Sequence, residues 1–360
     1  MKIIEKARSF PKQLKISIFA LLVLLAVGAP SFAADGGEDE GFSAGDMILH
    51  HIADAHEWHF FDGAYGTLYL PVIVYSEEHG LDIFSSSNFY NEAHELVPYN
   101  GYIMDHGHIV AEDGAELLDL SITKNVASMF LSAIIMLIVF VSIANRYKKK
   151  TMEAPKGLQS FLEPIIMFVR DEIAIPNIGP KYARFLPFLL TLFFFIWINN
   201  LLGLLPGAAN VTGNIAVTLV LAAIVLVITL ASGTKTYWGH IFNTPGVPWW
   251  LKTVLPIMPL VEFIGIFTKP FSLMVRLFAN ITAGHIIILS LFSLIFIFES
   301  VAIGPVSVAF ATFMYFLELF VALLQAYIFT LLAAMYFGGA VEEHHHDEEH
   351  VDPETEKALV

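Results

Sequence analysis

Three ionisable residues stand out inside apolar stretches of this chain: Arg276, His285 and Glu318. Placing such a group at the centre of a bilayer costs roughly 2.5 to 3.5 kcal/mol, so each requires a purpose. Arg276 occupies Ser272-Leu273-Met274-Val275-Arg276-Leu277-Phe278-Ala279-Asn280. It is about 20 residues from either end of its apolar segment, too deep to snorkel. Arginine keeps its charge in proteins and cannot relay protons, whereas histidine and carboxylates exchange them with water. A fixed cation standing between such groups repels a proton that tries to cross directly, most strongly in a low-dielectric layer.

Counting gives depth. The apolar segments Val254 to Phe298 and Pro305 to Phe337 run antiparallel about a shared turn near residues 299 to 305. Arg276 lies 23 residues before Glu299 and Gln325 lies 20 after Pro305, which puts them at one level. His285, 14 before, and Glu318, 13 after, share a second level. That second level is about 13 Å nearer the turn at the rise of an α-helix. Glu262 lies 14 residues to the other side of Arg276, about 21 Å along the helix. The chemistry this permits is proton exchange on both sides of one permanent cation.

The elements that position these groups must be membrane helices. A chain of 360 residues with 56% hydrophobic and only 15% charged residues, and a mean hydropathy of +0.66, cannot cover a soluble globule of its size with polar surface. The absence of cysteine excludes disulfides and thiol chemistry. The net charge of −15 comes from acids crowded into two soluble stretches near the ends.

The chain opens with Lys2, Lys6, Arg8, Lys12 and Lys15, an apolar run from Ile16 to Val27, and Ser31-Phe32-Ala33. This predicts a signal peptide over residues 1–33, with an uncleaved anchor as the alternative. Residues 34–123 hold eighteen Asp or Glu, eight of the fourteen His and no Lys or Arg, which the positive-inside rule assigns to the periplasm. Within them Thr67 to Tyr75 reads as a strand, and Gly63, Gly80 and Gly101 as turn positions.

The membrane domain spans residues 124–340. Val126 to Ala144 is a clean span stopped by the basic run Arg146 to Lys150, which predicts a cytoplasmic end. Lys156 to Ile175 reads as an amphipathic interfacial helix ended by Pro176 and Gly179. Phe185 to Leu205 and Asn214 to Ser232 read as a hairpin closed tightly by Pro206-Gly207. The two long segments are predicted to tilt, or the first to break near Pro256, Pro259 or Pro270. The expected fold is therefore an all-α polytopic membrane protein of about five transmembrane helices, the last two long and tilted, with a small extracytoplasmic extension. An acidic tail over residues 341–360 is expected in the cytoplasm.

Around the candidate residues stand Pro259-Leu260-Val261-Glu262, Lys269-Pro270-Phe271-Ser272-Leu273, Arg276-Leu277-Phe278-Ala279-Asn280, Ala283-Gly284-His285 and Leu324-Gln325-Ala326-Tyr327-Ile328-Phe329. With Asn200-Leu201-Leu202-Gly203-Leu204-Leu205-Pro206 and Thr212-Gly213-Asn214-Ile215-Ala216-Val217-Thr218, this ordered set resembles subunit a of F-type ATP synthases over roughly residues 125 to 340. The resemblance implies a non-catalytic stator subunit set against a rotating c-ring of carboxylate-bearing small subunits, with peripheral-stalk b subunits as further partners, in the bacterial inner membrane. It implies that Arg276 separates two proton half-channels and that Asn280 and Gln325 are its polar neighbours. Glu262 then lines the cytoplasmic exit, and His285 and Glu318 the periplasmic side.

Two departures stand out. Some bacterial members carry glutamate where His285 falls and histidine where Glu318 falls, so this pair is exchanged, and Gly203 replaces a carboxylate found in a few. Plainer readings exist beside these: a structural ion pair for Arg276, a core histidine at 285, a hydrogen-bonding role for Glu318, and helix-joining amides at Asn280 and Gln325. A stand-alone ion channel or secondary transporter is the alternative function, though no self-similarity relates the two halves. His56-Glu57-Trp58-His59 lacks the i, i+4 spacing of a zinc-protease helix, and no phosphate-binding glycine loop occurs, so neither metal nor cofactor is expected.

Overall fold

The structure, a computed structural model, describes residues 43, 45, 48, 52–59, 66–77, 80–91, 95–105, 107–149, 156–205, 207, 209–242, 257–298 and 303–342. The expected signal peptide, Gly63 and the tail beyond Glu342 fall outside them. Among the described residues, helices dominate after Thr123 and short strands before it.

Helix α1 (Lys124–Lys149) carries the clean apolar run. Helix α2 (Leu158–Phe168) widens into a π-helical turn over Val169–Ala174 and closes with one α turn, α3 (Ile175–Ile178). Pro176 does not end this segment, because the helix runs through it from the π-helical turn into α3. Gly179, at φ 69°, ends it. Nor is the segment a purely surface stripe: Val169, Ile173 and Ala174 are fully buried against later helices.

Helices α4 (Tyr182–Gly203) and α5 (Ile215–Ser232) follow, then the short α6 (Lys235–Phe242) and two long helices, α7 (Ile257–Ile297) and α8 (Gly304–Val341). Among the described residues, five helical stretches are long and apolar enough to cross a membrane: Lys124–Lys148, Leu158–Gly203, Ile215–Ser232, Leu260–Ile297 and Gly304–Val341. The 41 residues of α7 and 38 of α8 make rods of about 61 and 57 Å, twice the apolar thickness of a bilayer, so both must tilt. From Ile257 to Ile297 the first long segment is not broken, since α7 runs past Pro259 and Pro270 as a continuous helix; Pro256 lies outside the described residues.

The expected tight hairpin is corrected. The connection from α4 to α5 is an eleven-residue stretch containing a 3-10 turn (Val211–Gly213), with Ala209, Asn210, Val211 and Thr212 buried. Helices α4 and α5 barely touch. Instead α4 packs on α8 and α1, while α5 packs on α7 and α8. The core they share is built from phenylalanines interlocked with small residues. Phe185 stacks on Phe337 at 5.0 Å and Phe140 meets Phe194 edge-on at 4.8 Å. Ala326, Ala333 and Ala334 keep α8 slim, as close packing in lipid requires. A Cβ on Gly338 would overlap the Asn177 carbonyl, so only glycine lets α8 lie against the end of α3.

The N-terminal extension is β-rich, as its composition predicts. Strands β1 (Glu57–His59) and β2 (Thr67–Tyr69) pair with each other; β3 (Pro71–Ser76) lies between β4 (Gly80–Ser85) and β7 (Leu118–Asp119); β5 (Tyr102–Asp105) pairs with β6 (His108–Ala111). The single strand expected over Thr67 to Tyr75 is two, interrupted at Leu70. There the chain changes partner from β1 to β4: the Leu70 N–H extends the β1–β2 register to the His56 carbonyl at 3.1 Å and also reaches Ser86 Oγ at 3.1 Å. Val72, Val74, Phe89, Tyr102 and Ile109 form the core of this part. Burial, reinforced by the hydroxyl's hydrogen bond to Asp82 at 2.6 Å, pushes the Tyr102 phenol up to about 12.

Candidate functional site

Helices α7 and α8 run antiparallel and pack on each other more extensively than any other pair of described elements. Equal rise along both brings residues equidistant from their turn together. His285 Nδ1 lies 2.5 Å from Glu318 Oε1, with side chains 14% and 4% exposed. The other ring nitrogen, Nε2, lies 3.1 Å from the carbonyl oxygen of Gly203 at the end of α4. A carbonyl can only accept, so Nε2 carries a proton and donates it there. Nδ1 is left as the side of the ring that exchanges a proton with Glu318. Glu318 Oε2 is buried with no hydrogen-bond partner among the described residues. The pair is therefore placed so that a proton could pass between its members, with one carboxylate oxygen still unused.

Room for it comes from Gly284. A Cβ there would stand 2.8 Å from Glu318 Oε1 and 2.9 Å from its Cδ, closer than real Cβ contacts come. One turn before Glu318, the Tyr315 hydroxyl donates to the Leu204 carbonyl at 3.0 Å. Asn200 of α4 donates to the Ala322 carbonyl of α8 at 3.1 Å and accepts from Thr212 Oγ1 at 2.6 Å. Tyr315 is not marked out by any sequence motif, and Asn200 and Thr212 enter only as members of motifs. Tyr315 stands three residues from Glu318, a helical neighbour position that was available as a signal.

Arg276 behaves differently. Its side chain is exposed on α7, with neither ion pair nor hydrogen bond among the described residues. Ser272, Ala279, Asn280 and Ala283 are exposed with it, a stripe of small and polar residues between the large apolar side chains of Phe267, Phe271 and Ile287. Gln325, expected at the level of Arg276, is buried in α8 at 4% exposure, and no hydrogen bond joins the two among the described residues.

Toward the opposite end from the His285–Glu318 pair, α5, α6, α7 and α8 enclose a cavity of about 300 Å3 lined by Glu262, Lys269, Tyr237, Tyr336, Thr236 and Glu342. Burial, and secondarily the charge of Glu262, raise the Tyr237 phenol above its ordinary value. Lys269, Tyr237 and Tyr336 were not predicted as site residues. Counting gives depth along a helix but not which way a side chain faces. Among the described residues, no group of three or more His, Asp or Glu is arranged to hold a metal ion.

Comparison with known proteins bears on the whole chain. The family described as ATP synthase A chain matches residues 126–338, and a domain of unknown function, DUF8433, matches residues 47–128. "ATP synthase subunit a" of Chloroherpeton thalassium is 40% identical over 344 residues, covering 89% of this chain and 90% of that protein. The subunit of the same name from Chlorobium phaeobacteroides strain BS1 is 38% identical over 359 residues, covering 90% and 92%. "ATP synthase subunit a 2" of Chlorobaculum tepidum is 47% identical over 239 residues, covering 64% and 66%. The matched span, the near full-length relatives and the five-span helical fold make this chain a member of the ATP synthase A chain family, the non-catalytic proton-channel subunits of that synthase.

Proposed function

We propose that Arg276 divides two proton half-channels along α7. On this reading His285 and Glu318 belong to the half-channel on the extension side, and Glu262 and Lys269 to the one on the opposite side. The observation that carries it is the guanidinium of Arg276, exposed on a membrane helix and without an ion pair among the described residues. A cation so placed costs several kcal/mol unless something outside the chain compensates it. The stripe of Ser272, Ala279 and Ala283 beside it allows another helix to approach closely. A c-ring subunit with a carboxylate at this depth meets both requirements. Its carboxylate is ionised opposite Arg276 and protonated elsewhere on the ring.

The half-channel positions agree with this division. Along α7 the His285 level lies about 13 Å to one side of Arg276, and Glu262 about 21 Å to the other. Asn280, one turn from Arg276 and exposed on the same stripe, is a polar contact for the ring, whereas Gln325 is buried within α8. The extension faces the periplasm because residues 34–123 contain no Lys or Arg, while Arg146 and Lys148 close the other end of α1. The C-terminus is then cytoplasmic. The membrane is the bacterial inner membrane, and b subunits of the peripheral stalk hold the subunit against rotation.

Arg276→Ala in the assembled synthase tests this directly. ATP-driven proton pumping and ATP synthesis are expected to be abolished, while hydrolysis by the detached catalytic sector is retained. Synthesis persisting under an imposed proton gradient would remove Arg276 from its role.

A further inference from the structure

The extension matched by a domain of unknown function touches the α4–α5 connection through the Trp58 side chain. The last carbonyls of a helix have no intrahelical donor and need partners from elsewhere. At the end of α4 two such oxygens, and a third in the connection just beyond it, receive donors from three different elements. Gly203 O faces His285 Nε2 of α7 at 3.1 Å, Leu204 O accepts from Tyr315 of α8 at 3.0 Å, and Gly207 O accepts from the indole N–H of Trp58 at 2.8 Å. Trp58 lies in β1 of the extension, 149 residues away in sequence and 8% exposed. Gly207 takes φ 72°, a left-handed conformation that suits glycine and aims its carbonyl at the indole.

The segment carrying Trp58 is fixed at its other contacts. Asp54 Oδ1 accepts from the Asn125 N–H at 3.2 Å, capping α1, and Ala55 O accepts from the Lys124 N–H at 2.8 Å. His56 is buried, its carbonyl accepting from Ser86 Oγ at 2.7 Å and its Nε2 lying 3.5 Å from Asp119 Oδ2. The folded extension thus holds a strap that presses one donor onto the connection carrying the acceptor of His285.

We infer that Trp58 is a positioning residue for proton uptake: by holding Gly207 it fixes the Gly203 carbonyl, and with it the orientation and tautomer of His285 toward Glu318. This rests on the reading that His285 and Glu318 serve the extension-side half-channel. The titratable groups facing His285 are Glu318 and Tyr315 of α8. Helix α4 offers it a backbone carbonyl, and neither the α4–α5 connection nor α5 contains a charged residue. A change in acceptor geometry is therefore transmitted to this pair and to no other charge nearby.

The test uses the complete synthase in proteoliposomes, with synthesis driven by an imposed gradient and pH varied on the extension side. Trp58→Phe keeps the ring and removes the donor. Its rate is expected to fall about two- to tenfold at about pH 8, the range one hydrogen bond supports, and to match the parent at about pH 6. In a His285→Ala background the same substitution is expected to add nothing. The chain lacks cysteine, so Leu205→Cys, at an exposed position of the connection, supplies a second readout. Its reaction with a water-soluble maleimide is expected to quicken when Trp58 is changed. Asp54→Ala loosens the same strap and serves if Trp58→Phe assembles poorly.

An unchanged pH profile in both Trp58→Phe and Asp54→Ala, alongside an altered one in His285→Ala, overturns the positioning role and leaves the proton pair intact. Equal fractional loss at every pH overturns it as well, marking Trp58 as a merely structural contact. Unaltered profiles in His285→Ala and Glu318→Gln would instead remove the proton pair itself.

Discussion

Exchanging the two members of the outer pair isolates their interaction. In His285→Glu two carboxylates meet in a site where residue 318 is only 4% exposed, and they cannot both ionise. In Glu318→His two imidazoles meet, and neither is paired with a carboxylate. The double exchange restores one of each. A short hydrogen bond between ionisable partners, here 2.5 Å long, contributes about 1.5 to 3 kcal/mol. That is about 10- to 150-fold in rate if the whole contact serves proton transfer. ATP-driven pumping by His285→Glu, Glu318→His, the double variant and the parent, at equal expression and across pH, completes the cycle. The double variant is expected to recover at least about tenfold over the poorer single. Recovery remains incomplete, because an imidazole at position 318 must occupy the space that Gly284 leaves for a carboxylate. Strictly additive losses would refute the shared proton centre, whatever the role of Arg276.

Further outcomes follow from the same geometry. Gly284→Ala is expected to reduce pumping by tenfold or more, comparable to losing the pair, while the synthase still assembles; parental pumping would show that Glu318 tolerates displacement. With cysteines introduced singly, Glu112→Cys is expected to react with an impermeant reagent in intact cells and Arg146→Cys only after lysis; the reverse pattern inverts the topology. Burial raises the Asp119 carboxyl, but hydrogen bonding by His56 and Ser121 outweighs this and holds it at about 2 against an ordinary 3.8. Its stabilisation of the extension is therefore complete above pH 3.8 and lost as pH falls toward 2. Hydrogen exchange at β7 is expected to accelerate over that interval in the parent, and Asp119→Asn is expected to exchange fast at neutral pH with little further change.

The parts of the site legible in the sequence were those fixed by distance along a helix. His285 and Glu318 were matched by counting alone, since two antiparallel helices of equal rise bring equidistant residues together. Facing is set by rotation about the helix axis and by neighbours, so the burial of Gln325 and the exposure of Arg276 were not fixed by the count. Lys269, Tyr237 and Tyr336 converge from three helices, and their sequence positions give no local sign of it. Strands β2 and β3 followed from the β-branched and aromatic run Thr67 to Tyr75, but the interruption at Leu70 depends on a change of partner from β1 to β4, and β1 and β4 to β7 were not singled out. The π-helical turn at Val169–Ala174 left no mark in the apolar period, because it serves the fit against α8 rather than any property of Val-Arg-Asp-Glu-Ile-Ala itself.

The scant contact between α4 and α5 has a consequence for biogenesis. Spans enter the membrane in chain order, so α1, α4 and α5 are inserted while α7 and α8 are still being synthesised. At that stage Asn200 lacks the Ala322 carbonyl, and the core faces of α4 and α5 lack the helices they fit. Chains interrupted before Ile257 consequently present an unpaired amide and unfilled phenylalanine surfaces to lipid, features by which quality-control proteases can distinguish an orphan from a finished subunit.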